Sequence, residues 1–279
     1  MPKAAARECE IHYEVSGTGF PVIFSHEFAS DMRAWEPQVR HFARKYRVIT
    51  YNNRGYPPSQ VPGTREAYSH DALVEDLRCV LLHAGATQAH VVGLATGGNV
   101  ALNFAIAHPQ MARAVVVAGA GAGSVDRERW LKGAQALSDA IASQGMAGLV
   151  SNIEAAPQRQ ALRVKDPRAW HEFLSQMRDF SPVGSAHLMA NALMQRRPVF
   201  ELKDQIARLP MPVLVAVGDQ DLPAFEASVF IARTAPHVGL AVLPWTGHTL
   251  NTEEPEAFNA LVDGFLSAVD CGRWGSWRG

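Results

Sequence analysis

The chain has 279 residues, of which 47% are hydrophobic, so it can bury a full core and fits one elaborated domain better than two independent ones. Its formal net charge of -1 at pH 7 disfavours nucleic acid or an anionic membrane surface as a partner, and it favours a small-molecule substrate. The N-terminal stretch lacks the apolar core of a secretory leader, and no later run has the length of a membrane span. These features lead us to expect a cytoplasmic protein, whereas oligomeric state is not readable from them.

The three cysteines are Cys9, Cys79 and Cys271. They lie far apart and match neither a metal-ligand spacing nor a disulfide framework. We therefore expect reduced thiols.

Apolar runs rich in Val and Ile recur along the chain and are typical of buried strands. In chain order they are residues 22–24, 48–51, 90–93, 114–117, 213–217 and 240–243. Segments with helical spacing, such as 72–82 and 100–107, lie between most of them. This alternation predicts an α/β fold with a mainly parallel central sheet flanked by helices. Residues 10–15 alternate in polarity and could form an edge strand.

The rhythm of strands stops between residues 124 and 202, where helix-like stretches occupy 129–143, 167–180 and 185–194. A separate second domain is one interpretation. Because the strand runs on both sides have the same character, an inserted helical cap over one sheet is favoured. The predicted layout is a core in two parts, 1–123 and 203–268, the cap at 124–202 and a C-terminal tail at 269–279. We expect this tail to be frayed or appended, and we ascribe no function to it.

The most informative segment reads as a strand, a sharp turn and a helix around Gly93-Leu94-Ala95-Thr96-Gly97-Gly98. It resembles the nucleophile elbow G-x-S-x-G of the α/β-hydrolase family, with Ala95 at the position of serine. A phosphate-binding turn is the alternative. It is weaker, because the segment fits neither the dinucleotide fingerprint nor the P-loop.

The resemblance extends to the remaining members of a catalytic triad, in the family order of nucleophile, acid and histidine. Asp221 follows the strand 213–217 and resembles the family acid, with Asp219 as the less favoured candidate. His248 lies in a Gly-His pair followed by Glu-Glu-Pro, like the family's histidine loop. Nine other histidines are assigned structural or surface roles: His12, His41, His70, His83, His90, His108, His171, His187 and His237.

Ser25-His26-Glu27-Phe28 ends an early strand where the family shows His-Gly and then an oxyanion-hole residue. The resemblance implies that the backbone N–H groups of Phe28 and Thr96 form the oxyanion hole. Glu27 replaces the glycine and is a candidate for substrate contact, yet a charge there would oppose an oxyanion unless it points away or is protonated. We favour a Glu27 that turns toward solvent or toward an arginine such as Arg33.

The turn at 51–59 resembles the family's Asp-x-Arg-Gly turn, with Asn52 at the position of Asp and a scaffolding role expected. The resemblance covers residues 10–266. It implies a capped hydrolase whose chemistry needs the triad, backbone donors and water, without a metal or organic cofactor.

Alanine cannot attack an acyl carbon, and loss of such a nucleophile lowers turnover by roughly a millionfold. Because the other parts of the machinery are present, we interpret Ala95 as replacing an original serine, as is done to trap a ligand. A carboxylic ester or lactone of a small to medium apolar molecule ranks first as substrate, with amide and carbon–carbon bond hydrolysis left open. Two alternatives remain: a lyase or cofactor-free oxygenase that uses His248 and Asp221 as a general base, and a ligand-binding protein without turnover.

Specificity is expected to come from the apolar side chains of the cap, and Trp130 and Trp170 are candidates for substrate contact. Four cap arginines could bind a substrate carboxylate, but a solvated surface is the favoured interpretation for them. They are Arg163, Arg178, Arg196 and Arg197.

Overall fold

The computed structural model describes residues 2–275 and contains a single eight-stranded sheet. Its strands are β1 (Lys3–Ala6), β2 (Cys9–Ser16), β3 (Pro21–Ser25), β4 (Arg47–Tyr51), β5 (Ala89–Leu94), β6 (Ala112–Ala118), β7 (Val213–Gly218) and β8 (Val238–Leu243). The strand order is β1-β2-β4-β3-β5-β6-β7-β8. β1 and β2 pair antiparallel, as do β2 and β4, and all other neighbours are parallel. The predicted α/β fold with a mainly parallel sheet is confirmed.

All six predicted apolar runs lie in strands. In β3 to β7 successive residues face opposite layers of core, whereas the run at 240–243 lies in the edge strand β8, where Leu240 and Val242 are exposed. Ile23 and Val91 pack in one hydrophobic cluster, while Val22 and Val92 pack in the other. Residues 10–15, which were predicted as a possible edge strand, do not lie at an edge of the sheet. They form β2, which is covered by β1, a strand of four residues that is too short to show a periodicity of its own.

The helices flank this sheet and include a run without strands between β6 and β7. They are α1 (Glu36–Phe42), α2 (His70–His83), α3 (Thr96–Ala107), α4 (Arg127–Gln144), α5 (Met146–Ala155), α6 (Gln160–Lys165), α7 (Pro167–Met177), α8 (Pro182–His187), α9 (Lys203–Ile206), α10 (Leu222–Thr234), α11 (Leu250–Glu253) and α12 (Pro255–Asp270). Short 3-10 helices lie at Met32–Trp35, Arg65–Ala67, Pro157–Arg159 and Val199–Leu202, and a π-helical stretch at Leu188–Leu193.

Residues 124–202, called the cap segment below, contain α4 to α8. The three predicted helical stretches correspond to α4, to α7 and to α8 with the π-helical stretch that follows it. Helix α5 was not predicted. It begins directly after Gly145, whose φ of +64° ends α4, so that two helices follow each other with a break of one residue.

The C-terminal end packs against the sheet as far as the structure describes it. Helix α12 continues to Asp270, and the Trp274 ring lies edge-on to Phe265 with ring centroids 4.6 Å apart. Trp274 also donates from Nε1 to the carbonyl oxygen of His237, at 3.1 Å. The expectation of a frayed tail is therefore wrong for residues 269–275, and residues 276–279 lie outside the described part.

The turn at 51–59 is held by buried polar contacts. Arg54 donates to Asp76 from Nε at 2.7 Å and from Nη2 at 2.6 Å, and both side chains are buried. The Asn52 side chain accepts from the Met32 amide and donates to the Pro57 carbonyl. These contacts agree with the scaffolding role expected for this turn.

Candidate active site

Ala95 lies at the sharp turn between β5 and α3, with φ of +52° and ψ of -107°. Residues other than glycine rarely adopt a positive φ, so this backbone conformation is strained. The turn also requires glycine on either side. A Cβ on Gly93 would lie 2.0 Å from the Gly97 carbonyl oxygen, and one on Gly97 would lie 2.0 Å from that of Ser25. Strand and helix therefore approach closely, and residue 95 is held at the carboxyl end of the strand.

His248 contacts Asp221, which is fully buried at the N-terminus of α10, after β7. The distance between His248 Nδ1 and Asp221 Oδ2 is 2.7 Å. A carboxylate can only accept, so Nδ1 carries the hydrogen and the lone pair of the neutral imidazole lies on Nε2. The imidazole is thus oriented as a general base requires.

Two acidic side chains brace the loop that carries His248. Glu253 accepts from the amides of Gly247 (2.6 Å) and Thr249 (2.9 Å), one on each side of the histidine. Asp219, the alternative candidate for the acid, accepts from the Thr246 amide at 3.1 Å. Of the two candidate acids, Asp221 is the one that contacts the imidazole.

The loop after β3 brings Glu27 and Phe28 to the same cavity as Ala95 and Thr96. His26 positions this loop: its Nδ1 donates to the Glu27 carbonyl at 2.7 Å, and its Nε2 accepts from the Asn53 amide at 2.9 Å. Burial lowers the pKa of His26, which keeps the ring in the neutral form that this pair of bonds requires. Thr96 begins α3, where first-turn amides have no acceptor within the helix.

Glu27 does not turn toward solvent or toward Arg33. Its side chain is 2% exposed and is held by the Arg159 guanidinium, with Nη1 2.7 Å from Oε1 and Nη2 bonded to Oε2. Arg33 instead pairs with Asp31 and Asp179. Glu27 therefore pairs with an arginine, as one expected alternative had it. The expected outward direction and the example of Arg33 are wrong, because the partner is Arg159 of the cap segment and the pair is buried.

The Glu27 carboxylate lies beside the imidazole, with its Oε2 3.8 Å from His248 Nε2. Burial raises the pKa of Glu27, but the charge and hydrogen bonds of Arg159 outweigh burial and hold it below its usual value. Glu27 is therefore ionised at neutral pH. Its negative charge, which is paired with Arg159, therefore lies next to Nε2 of His248.

Core and cap segment together line a cavity of about 180 Å³. From the core, its wall contains Glu27, Phe28, Ala95, Thr96, Asn99 and His248. From the cap segment, the wall includes Trp130, Asn152, Ile153, Arg159, Met189 and Arg196. Trp170 is not in this wall: it packs in the interior of the cap segment against Phe173, with ring centroids 6.1 Å apart.

Two arginines lie in this wall: Arg159 was not singled out from the sequence, and Arg196 was named only as a disfavoured candidate for binding a carboxylate. Arg159 follows α5 in a 3-10 turn whose sequence carries no motif, so no signal could have singled it out. Arg196 was expected on a solvated surface, and this is wrong, since its side chain is buried. Arg163, Arg178 and Arg197 are exposed, in agreement with the expectation.

The three cysteines are free thiols, as predicted. Burial raises the pKa of the Cys9 thiol to about 12, so it stays protonated. Within residues 2–275, no group of three His, Cys, Asp or Glu side chains is arranged to hold a metal ion. No helix in that range combines the length and the apolar character needed to cross a membrane.

Comparison with known proteins identifies similar sequences and folds. The family model described as alpha/beta hydrolase fold matches residues 21–255. A protein of Azorhizobium caulinodans, provisionally named carbamate hydrolase RutD, is 26% identical over 97% of this chain and 100% of its own length. A 3-oxoadipate enol-lactonase of Acinetobacter baylyi is 27% identical over 88% of each chain. The crystal structure of an enol-lactonase from Burkholderia xenovorans superposes with a TM-score of 0.83 at 21% identity, covering 95% of this chain and 100% of that one.

Proposed function

Since this chain belongs to the alpha/beta hydrolase fold family, we propose that its cavity is the site of a carboxylic ester or lactone hydrolase in which Ala95 occupies the position of the nucleophile. One observation carries the proposal: Ala95, at a positive φ, shares a cavity with an imidazole whose Nδ1 is bound to Asp221. Relatives named as enol-lactonases support the choice of an acyl substrate.

With serine at position 95, His248 Nε2 would take the hydroxyl proton while the oxygen attacks the acyl carbon. The amides of Phe28 and Thr96 would donate to the oxyanion, and Asp221 would stabilise the imidazolium. The imidazolium then gives its proton to the departing alkoxide, and water repeats the sequence on the acyl-enzyme. With a methyl group at 95 the first step has no nucleophile, so the chain binds substrate without turning it over efficiently.

The decisive experiment restores the hydroxyl. Ala95→Ser is assayed with p-nitrophenyl acetate, p-nitrophenyl butyrate and γ-butyrolactone, beside the native chain and Ala95→Gly, which shares the lack of a hydroxyl. We expect hydrolysis to rise on the order of a thousandfold or more in Ala95→Ser alone, and to vanish in Ala95→Ser/His248→Ala. If Ala95→Ser is no faster than Ala95→Gly on all three compounds, the proposal is wrong.

A second candidate function is proton abstraction by His248 without a serine, as in a lyase. The position of Glu27 favours it, because a carboxylate 3.8 Å from Nε2 stabilises the imidazolium that forms when His248 takes a proton from a carbon acid. Under this candidate the native chain turns over its substrate, His248→Ala abolishes turnover, and Ala95→Ser leaves it unchanged. A ligand-binding protein would show turnover in neither form.

A further inference from the structure

Arg196 is a buried cation in the wall of the cavity that contains Ala95 and His248. The residue is 5% exposed, and its Nε has no hydrogen-bond partner within the described part of the chain. Its Nη2 donates to the carbonyl oxygen of Ala122. No carboxylate among residues 2–275 lies within ion-pair distance of it.

The surroundings of Arg196 add positive charge. Arg127 lies close by, and the guanidinium carbons of Arg127 and Arg196 are 5.0 Å and 5.6 Å from the centroid of the Trp130 ring. Burial, followed by the charge of Arg127, lowers the pKa of Arg196 to about 10, so the group remains charged at neutral pH. Burial, followed by the charge of Arg196, lowers the pKa of His70 to about 3. His70 is therefore neutral and contributes no counter-charge.

A buried charge without a partner is costly, because desolvation is not offset by an opposite charge. A ligand that brings an anion into the cavity removes that cost. Guanidinium groups bind carboxylates through two parallel hydrogen bonds, which also fixes the orientation of the bound group. Arg196 and Ala95 line the same cavity. Trp130 lies beside Arg196, and Asn99 lies beside Ala95.

We propose that Arg196 binds a carboxylate of the substrate, so that the site accepts an anionic ester or lactone rather than a purely apolar one. Arg127 assists as a positioning residue that raises the positive potential around Trp130. The placement of the acyl group at Ala95 rests on the proposed function. The recognition of the carboxylate rests on the buried guanidinium, which has no acidic partner among the described residues.

Binding is measured by isothermal titration calorimetry on the native chain, in which Ala95 prevents rapid turnover. The probes are 5-oxotetrahydrofuran-2-carboxylate, a lactone that carries a carboxylate, and its primary amide, which has similar size and no charge. We expect the carboxylate to bind at least about tenfold more tightly than the amide. Arg196→Gln should remove this preference and Arg196→Lys should retain part of it. Arg197→Gln, at the exposed neighbouring arginine, should leave it unchanged.

Equal binding of the two probes, or no detectable binding of the carboxylate, overturns the proposal. So does a preference that survives Arg196→Gln. Because Arg196→Lys keeps the charge, its behaviour separates loss of recognition from loss of folding. Hydrolysis by Ala95→Ser is scored independently on p-nitrophenyl acetate. If the carboxylate is preferred but Ala95→Ser does not hydrolyse the ester, the proposed function is wrong and the carboxylate site is supported. If Ala95→Ser hydrolyses the ester but the carboxylate is not preferred, the carboxylate site is wrong and the proposed function is supported.

Discussion

Arg159 and Arg196 both reach one cavity from the cap segment, and both are buried, but only Arg159 has an acidic partner among residues 2–275. Arg159 is bound by both oxygens of Glu27, whereas the Arg196 guanidinium donates to the Ala122 carbonyl and lies over the Trp130 ring. Burial acts to lower the pKa of each guanidinium. At Arg159 the charge and hydrogen bonds of Glu27 outweigh burial, so the pKa is raised, whereas at Arg196 the charge of Arg127 adds to burial and the pKa is lowered. The difference separates a charge that is neutralised within the fold from a charge that remains available to a ligand.

The largest change in stability is expected when Arg159, the arginine that is paired with Glu27, is replaced. Arg159→Met leaves Glu27 buried without a partner, and we expect the free energy of unfolding at pH 7 to fall by about 3–5 kcal/mol in urea denaturation. The double variant Glu27→Gln/Arg159→Met, which contains no unpaired charge at this place, should recover most of that loss. A single variant as stable as the native chain would mean that the pair is not structural.

The next effect concerns pH and the neutral His70 beside Arg196. Its pKa is about 3 in the folded chain against an ordinary value of 6.5, so the unfolded chain takes up a proton between these values that the folded chain does not. The stability contributed by the neutral ring is complete above pH 6.5 and is lost as pH falls toward 3, by up to about 1.4 kcal/mol per pH unit. Urea unfolding between pH 7.5 and pH 4.5 should therefore show a shallower decline for His70→Leu. Parallel declines would contradict this explanation.

A smaller effect is expected at the unpaired arginine. Arg196→Met removes a buried charge that has no counter-ion in the described part of the chain. It also removes the donor to the Ala122 carbonyl, and these two contributions to stability oppose each other. The unfolding free energy should stay within about 1 kcal/mol of the native value. A loss as large as that of Arg159→Met would show that Arg196 is held by the fold and is not available to a ligand.

The smallest effect is expected for Arg197→Gln. Arg197 Nε lies 3.8 Å from Glu201 Oε2, and both side chains are more than half exposed. Exposed pairs of this kind contribute about 0.5 kcal/mol or less. Thermal unfolding of this variant, run beside Arg196→Met, gives the baseline against which the buried arginines are judged. A midpoint lowered by several degrees would contradict the assignment of Arg197 to the solvated surface.

The sequence predicted the sheet because each buried strand leaves a local signal, a short run of β-branched residues between helical segments. It also brought Ala95, Asp221 and His248 together, because each follows a parallel strand and the carboxyl ends of such strands meet at one edge. The orientation of Glu27 could not be predicted in this way. Its partner is 132 residues away along the chain, in a segment that shows neither a strand rhythm nor a motif.

The sequence by itself determined the part of the cavity that the core contributes. The strained turn at Ala95 and the loop of His248 depend on glycines and capping contacts that act within a few positions of the chain. Only the tertiary structure decided which side chains of the cap segment line the cavity and how their charges are paired. Whether a buried guanidinium is neutralised depends on which distant side chain reaches it, and that depends on how the cap segment packs over the sheet. Glu27 reaches Arg159, and no carboxylate of residues 2–275 reaches Arg196.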